Sequence, residues 1–236
     1  MKLAMLLGGI LLMVCASVAR ADFVVSASVD GGAPSVIADD PVSAGPVLFN
    51  GPLGAFNVTI FGADSNSPGG ASLADEFSAS VEIQNTGSTS HTLEFFIGSQ
   101  GFTLPVTPPS LTLLSHISGT VAVGSASNSL SFTSCVDPTN STSPCPSAIE
   151  SGTGTPGITT AGSFANDQSA TIASLAATYS IGEDLFVDLG AGAQINFSAS
   201  TTLTPAVPEP VSVGWMAGGI VLLAGIYKRA RRAKQV

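Results

Sequence analysis

The sequence has 236 residues and is 44% apolar, enough for one or two domains, but only 10% of its residues are charged, against about 25% in ordinary soluble domains. From residue 22 to residue 206 there is no Lys or Arg, and 15 acidic residues give this stretch a formal charge of −15 with both His neutral. Binding to nucleic-acid phosphates depends on Lys and Arg, so nucleic acid is excluded as a partner. Direct binding to anionic lipid or acidic polysaccharide is disfavoured for the same reason. All seven basic residues lie near the two ends: Lys2, Arg20, Lys228, Arg229, Arg231, Arg232 and Lys234.

The first 21 residues are predicted to form a secretory signal peptide. Lys2 supplies the positive start, and Leu3–Val14 is an apolar core of 12 residues, within the range of about 7–15 that such signals use. Ala19 and Ala21 place small residues at positions −3 and −1 of a cleavage site before Asp22, and a cut after Ala19 is the alternative. An N-terminal membrane anchor is the other interpretation, for which the core is short.

A second apolar stretch, 211–227, has 17 residues and no charge. As a helix it would be about 25 Å long at 1.5 Å per residue, near the lower limit for crossing a membrane. Since the N-terminus is predicted to be exported, we expect the body of the protein to lie outside the inner membrane. Basic residues directly after the helix are predicted to stop transfer and hold the tail in the cytoplasm: Lys228, Arg229, Arg231 and Arg232.

Pro208, Glu209 and Pro210 stand immediately before this predicted helix. Two prolines fix φ and disfavour helical structure, so this segment is expected to be extended, the backbone shape that peptidase clefts accept. The Pro-Glu-Pro motif, the Gly-containing apolar helix and the Arg-rich tail together resemble the PEP-CTERM sorting signal of Gram-negative bacteria. The resemblance covers about residues 207–232.

The resemblance implies a path through the cell envelope. It implies recognition and cleavage near the motif by an exosortase, a membrane-embedded cysteine peptidase. The protein would be anchored in the inner membrane before processing and reside afterwards at the cell surface or in the extracellular matrix. Bearers of this signal resemble biofilm and exopolysaccharide-associated proteins. The chain then divides into a signal peptide (1–21), a Ser/Thr-rich acidic body (22–206) and a sorting signal (207–236).

Apolar and polar residues alternate with period two in several parts of the body, and Gly-rich turns separate these runs. This pattern predicts about ten antiparallel strands in a β-sandwich. A right-handed β-solenoid is the alternative, although no fixed repeat supports it. The stretch 169–178 is ambiguous and is predicted to be a strand, and 137–157 is predicted to be a loop inside one domain. Residues predicted to face the interior include Phe77, Ala79, Val81 and Ile83, then Ile117, Gly119, Val121 and Val123, and then Ala193, Ile195, Phe197 and Ala199.

Cys135 and Cys145 are the two cysteines of the predicted mature chain, and nine residues separate them. In an exported protein such a pair is predicted to form a disulfide. Closing so short a loop would contribute roughly 2–3 kcal/mol in the loop-entropy account. A metal site is not predicted here, since there is no Cys-x-x-Cys and no neighbouring His.

The candidates for chemistry are sparse. There is no Gly-x-Ser-x-Gly elbow and no phosphate loop with its Lys, and His91 and His116 are the only imidazoles of the chain. Both His are predicted to be structural or on the surface. Neighbouring carboxylates leave three alternatives open: a glycosidase pair, a Ca²⁺ site or solvated acidic turns, which are favoured. These carboxylates are Asp39 and Asp40, Asp75 and Glu76, and Glu183, Asp184 and Asp188.

The sequence therefore predicts an exported, non-enzymatic protein with a structural or adhesive role at the cell surface or in the extracellular matrix, with no cofactor and no metal site. A polysaccharide- or Ca²⁺-binding matrix module is the alternative. A secreted hydrolase ranks third, because the body has one Tyr and no Trp to build a sugar-binding platform.

Overall fold

The computed structural model describes residues 22–41, 46–142 and 149–206. Its described strands, in chain order, are β1 (Phe23–Val29), β2 (Ser35–Asp40), β3 (Val47–Leu53), β4 (Phe56–Ser65), β5 (Ala74–Asn85), β6 (His91–Phe102), β7 (Leu111–Val123), β8 (Ser129–Asp137), β9 (Ile149–Glu150), β10 (Gly162–Ile172), β11 (Tyr179–Leu189) and β12 (Gln194–Pro205).

These strands form two six-stranded antiparallel sheets with apolar side chains buried between them. The first sheet has the order β2-β1-β6-β11-β8-β9, and the second has the order β10-β7-β12-β5-β4-β3. The predicted all-β antiparallel sandwich is confirmed, with twelve strands in the described part of the chain instead of about ten. The solenoid alternative, which requires parallel strands, is wrong.

The loop-rich stretch 137–157 does not separate two folding units. Strands that follow it pair with strands that precede it: β10 pairs with β7, and β11 lies between β6 and β8. The ambiguous stretch 169–178 is only partly a strand, because β10 ends at Ile172.

An extra residue in β4 changes which side chains face the interior. Phe56, Val58 and Ile60 are buried at alternate positions. The pairing with β3 then shifts by one residue, and Gly62 takes a φ of 93° there, a backbone conformation that favours glycine. Gly62 and the residue after it, Ala63, are therefore both buried.

Strand β5 also contains an extra residue, and beyond it the predicted alternation of buried and exposed residues is wrong. Val81 and Ile83 are buried as predicted, but the register with β12 shifts between Phe197 and Ala199. Beyond this bulge Glu76 and Ser78 point inward, and Phe77 is 43% exposed. The prediction for Phe77 is wrong because a bulge exchanges the two faces of a strand.

The same effect occurs at the end of β7. Ile117 and Val121 are buried, whereas Val123 is 47% exposed, so the prediction for Val123 is wrong. The register with β12 shifts between Gln194 and Ile195, and Val123 consequently stands opposite Gln194. In β12 the predicted interior residues are all buried: Ala193 just before the strand, then Ile195, Phe197 and Ala199.

The apolar interior consists of two clusters. The larger one includes Ile60, Phe95 and Ile195 and joins residues of both sheets. The smaller one lies around Phe102 and Tyr179, whose rings stack with centroids 5.6 Å apart. Buried polar side chains, described below, come from the strands that build both clusters.

Several predictions concern residues outside the described part of the chain. These are the signal peptide with Ala19 and Ala21, the Pro208-Glu209-Pro210 motif, the helix 211–227, the basic tail and Cys145. Among residues 22–41, 46–142 and 149–206 no helix has the length and apolarity needed to cross a membrane.

Candidate functional site

The outer face of the second sheet carries rows of uncharged polar side chains. Because β12 and β7 bury their apolar residues at alternate positions, the intervening polar residues point outward. In one row Asn196 stands opposite Thr120, which stands opposite Ser163, and in the next row Ser198 stands opposite Ser118. An open depression of about 460 Å³ lies over these rows. Its polar lining residues are Ser80, Ser118, Thr120, Ser163, Asn196 and Ser198.

Two phenylalanine rings lie on this outer face as well. Phe77 in β5 is 43% exposed and stands opposite Asp64 on one side and Ser200 on the other. Phe61 in β4 is 59% exposed. Phe77 lies three residues along β5 from Ser80 at the depression, a separation of about 10 Å in an extended strand. The face therefore offers hydroxyl and amide groups beside flat apolar surface.

His116 connects two polar side chains on the same outer face. Its Nδ1 lies 2.6 Å from Asp167 Oδ1, and its Nε2 lies 3.2 Å from Ser118 Oγ. Asp167 stands opposite His116 in the pairing of β10 with β7, and Ser118 is two residues further along β7. The order of groups is that of a Ser-His-Asp triad, which spacing along the sequence could not predict because Asp167 comes from a distant strand.

The described residues around Ser118 nevertheless do not provide the oxyanion hole that an acyl-transfer site also needs. Such chemistry needs backbone N–H groups beside the nucleophile to hold the oxyanion. Ser118 lies in the middle of β7, which pairs with β10 on one side and β12 on the other. The backbone amides around Ser118 are therefore committed to the sheet. His116 is a surface histidine whose two ring nitrogens make hydrogen bonds to Asp167 and Ser118.

His91 has a different surface role, at the start of β6. Its Nδ1 lies 2.8 Å from Asp30 Oδ2, and the Thr92 backbone N–H donates to Asp30 Oδ1 at 3.0 Å. The amide of Thr92, followed by His91, lowers the pKa of the Asp30 carboxyl. The His91 imidazole and the Phe56 ring also form a T-shaped pair, with centroids 6.4 Å apart and ring planes 80° apart. These contacts hold the turn after β1 against the first residues of β6.

Glu183 is buried inside the sandwich. It lies on β11 in the first sheet and is 1% exposed. Two hydroxyls of the second sheet donate to its carboxyl: Ser78 Oγ to Oε2 at 3.2 Å and Thr201 Oγ1 to Oε1 at 3.0 Å. Burial raises the pKa of Glu183 to about 8, although these two hydrogen bonds act in the opposite direction.

Glu76 is the neighbour of this buried carboxyl. It is 0% exposed on β5 and stands opposite Thr201 in β12. Neither of its carboxyl oxygens makes a hydrogen bond of standard geometry within the described residues. Burial, with the charge of Glu183 as a second cause, raises the pKa of Glu76 well above its usual range, and the Ser99 backbone amide offsets this in part. The interpretation of these two residues as parts of solvated acidic turns is wrong.

The remaining acidic candidates do not assemble into a larger cluster. Asp39 and Asp40 lie in β2, and Asp184 and Asp188 lie in β11. Across the described ranges, no group of three or more His, Cys, Asp or Glu side chains is close enough to hold a metal ion. The glycosidase interpretation gains no support from Glu76 and Glu183, because a sugar chain cannot reach two carboxyls enclosed between the sheets.

Cys135 is 1% exposed and lies near the C-terminal end of β8. Its predicted partner, Cys145, belongs to 143–148 and lies outside the described residues. The pairing of these two cysteines stays a prediction.

Comparisons with known proteins give distant structural likenesses. No protein-family model and no curated protein sequence matches the chain. Among solved structures, the chain is similar to the carbohydrate-binding module TmCBM61 in complex with β-1,4-galactotriose, at 11% identity and a TM-score of 0.33, over 66% of this chain and 92% of that one. It is also similar to a carbohydrate-binding module of the β-sandwich superfamily, at 8% identity and a TM-score of 0.28, over 75% of this chain and 82% of that one. The fold assignment rests on the strand pairing described above.

Proposed function

We propose that the protein is an exported, non-catalytic module that binds neutral polysaccharide on the outer face of its second sheet. The observation that carries the proposal is the depression lined by serine, threonine and asparagine side chains, with the exposed ring of Phe77 on the same face. Hydroxyl and amide groups can both donate and accept hydrogen bonds, as sugar hydroxyls require. Aromatic rings offer a flat surface to the apolar side of a sugar ring.

The charge of the body restricts the ligand to a polymer without negative charge. The body has no Lys or Arg and a large excess of carboxylates, so an acidic polysaccharide would be repelled. The side chains that line the depression are uncharged. A neutral chain avoids both the repulsion and the desolvation of an unpaired charge.

The second part of the proposal concerns export and sorting of the protein, and it rests on the sequence alone. The signal peptide (1–21) would export the chain, and the helix 211–227 with its basic tail would hold it in the inner membrane. The PEP-CTERM-like signal around Pro208, Glu209 and Pro210 would then direct it, through an exosortase-type peptidase, to the cell surface or the extracellular matrix.

Affinity electrophoresis of the purified protein in gels that contain single neutral polysaccharides tests the binding proposal. We expect at least one neutral polymer to retard the protein. Phe77→Ala should weaken the binding by about twofold to twelvefold, as the loss of roughly 0.5–1.5 kcal/mol of aromatic contact implies. Phe186→Ala is the matched control, because Phe186 is also 43% exposed but lies on the first sheet. Equal loss in both variants, or no retardation by any neutral polymer, would contradict the proposal.

Mass spectrometry of the mature protein from its native host tests the sorting proposal. We expect a C-terminus close to Pro208-Glu209-Pro210, and an uncleaved chain ending at Val236 when the exosortase-type peptidase is deleted. A chain that ends at Val236 in both strains argues against sorting and leaves simple membrane anchoring. Thiol alkylation with and without reductant, measured in the same way, tests the pairing of Cys135 with Cys145.

A further inference from the structure

A polar layer crosses the interior of the sandwich. In the second sheet, Ser65, Glu76, Thr201 and Ser115 stand opposite one another in successive strands and form one row. In the first sheet, Glu183 stands opposite Ser134. Hydrogen bonds join the two sheets at this level, since Thr201 donates to Glu183 and shares a 2.5 Å hydrogen bond with Ser134.

Three buried oxygen atoms of this layer make no hydrogen bond of standard geometry within the described residues, although the Ser99 backbone amide is close enough to the Glu76 carboxyl to lower its pKa in part. They are Oε1 and Oε2 of Glu76, which is 0% exposed, and Oγ of Ser115, which is 1% exposed. Both residues flank Thr201, one on each side of β12. Buried polar atoms in native proteins nearly always have a partner, and the usual explanation of an exception is a bound water or ion.

The described part of the chain has no Lys or Arg to place beside the two carboxyls. Between residues 22 and 206 there is no Lys or Arg. His91 and His116 lie at the surface and contact Asp30 and Asp167 there. An ionised carboxylate in a protein interior is costly unless it is paired or coordinates a metal. Because the described residues offer no positive charge here, the charge of the two carboxyls would be neutralised by bound protons or by a cation from outside these residues.

We propose that the polar layer is a binding site for one hard divalent cation of the Ca²⁺ class. Glu76 and Glu183 would supply four carboxylate oxygens, and Ser78, Thr201 and Ser115 would supply three hydroxyls. These seven oxygens match the about 6–8 oxygen ligands that Ca²⁺ takes. A proton bound to one carboxyl would provide a partner for far fewer of these oxygen atoms. The inference does not depend on polysaccharide binding.

The existing hydrogen bonds are compatible with this role. A hydroxyl has one donor hydrogen and two lone pairs. Ser78 and Thr201 can therefore donate to Glu183, Thr201 can also accept from Ser134, and each hydroxyl still has a lone pair to turn toward a cation. Two carboxylates balance the charge of one divalent ion. Mg²⁺ fits less well, because it prefers a rigid octahedral shell in which several ligands are waters.

Thermal melting of the purified full chain with Ca²⁺ or with a chelator tests the site. The measurement is made at about pH 9, where fewer protons compete for the carboxylates. We expect Ca²⁺ at about 100 times its Kd to raise the melting temperature by about 5–10 °C. Native mass spectrometry is expected to show one Ca²⁺ per chain. Equal melting temperatures in both solutions, with no bound Ca²⁺, would overturn the proposal.

Variants then locate the ion. Glu76→Gln and Glu183→Gln are expected to abolish both the Ca²⁺-dependent shift and the bound ion. Glu82→Gln is the control on the outward side of β5, where Glu82 accepts a hydrogen bond from Gln194 at 2.9 Å, and it should behave as the parent. If the two inner variants do not fold, Ser115→Ala replaces them, since Ser115 Oγ has no hydrogen bond to lose within the described residues; it should weaken Ca²⁺ binding. Ca²⁺ uptake that survives the inner variants, or survives Ser115→Ala at full strength, would place the ion elsewhere and overturn the proposal.

Discussion

Thr201 in the second sheet donates a 3.0 Å hydrogen bond to Glu183 in the first sheet, across the interior of the sandwich. Both residues are almost completely buried, with 0% and 1% exposure. In most sandwiches the inner faces meet through apolar side chains. Here a specific polar contact also links the two sheets, and it fixes how they are aligned at this level.

Replacing Thr201 with Val keeps the shape of the side chain and removes its hydroxyl. We expect a loss of about 1–3 kcal/mol in the free energy of unfolding, because Glu183 loses a donor and Ser134 loses a partner in a dry interior. Chemical denaturation measures this loss. Thr202→Val, the same change on the partly exposed face of β12, should stay within about 0.5 kcal/mol of the parent. Equal costs in the two variants would show that the inner hydroxyl has no special role.

Gly62 is expected to be the most sensitive glycine of β4 and its neighbours. Its φ of 93° is one that a side chain disfavours, so Gly62→Ala should cost about 1–3 kcal/mol in folding free energy. The control is Gly51→Ala in β3, whose new Cβ would meet only the Phe49 ring at 3.6 Å and should change stability by less than about 1 kcal/mol. A Gly62→Ala variant as stable as Gly51→Ala would mean that the bulge does not require glycine.

The carboxyl of Asp30 should titrate at a lower pH than an ordinary aspartate. The Thr92 amide and His91 hold its pKa down in the folded protein. A folded pKa below the unfolded one adds stability above the unfolded pKa, and this stability is lost as the pH falls through the folded pKa. An NMR titration of the Asp30 carboxyl measures the shift, and Asp30→Asn should flatten the acid part of the stability curve. A carboxyl that titrates at or above the ordinary value would contradict the contacts described.

Ser118 should not react as a hydrolase nucleophile, despite its contact with His116. The reason is the sheet itself, which occupies the backbone amides that an oxyanion needs. A fluorophosphonate probe should therefore leave Ser118 unlabelled under conditions that label a known serine hydrolase completely. Stoichiometric labelling that disappears in Ser118→Ala would show that catalysis occurs on this face after all.

The local pattern of the sequence determined the class of the fold. Alternation with period two is a property of neighbouring residues, so it predicted antiparallel strands with one buried face. It placed Val81, Ile83, Ile117, Ile195 and Phe197 in the interior, where the structure has them. The chemistry of the ends, with their apolar runs and clustered cations, is equally local and supports the export and sorting hypothesis without any tertiary structure.

Tertiary structure alone decided what lies between the sheets. The bulges of β4 and β5 depend on pairing with strands that are distant in sequence, and they turned Phe77 outward and Glu76 inward. Glu76 and Glu183 sit in separate acidic pairs along the chain, so no spacing rule could bring them together. They meet because two sheets stack face to face, and a contact across that stack is set by the register of whole strands rather than by any short stretch of residues.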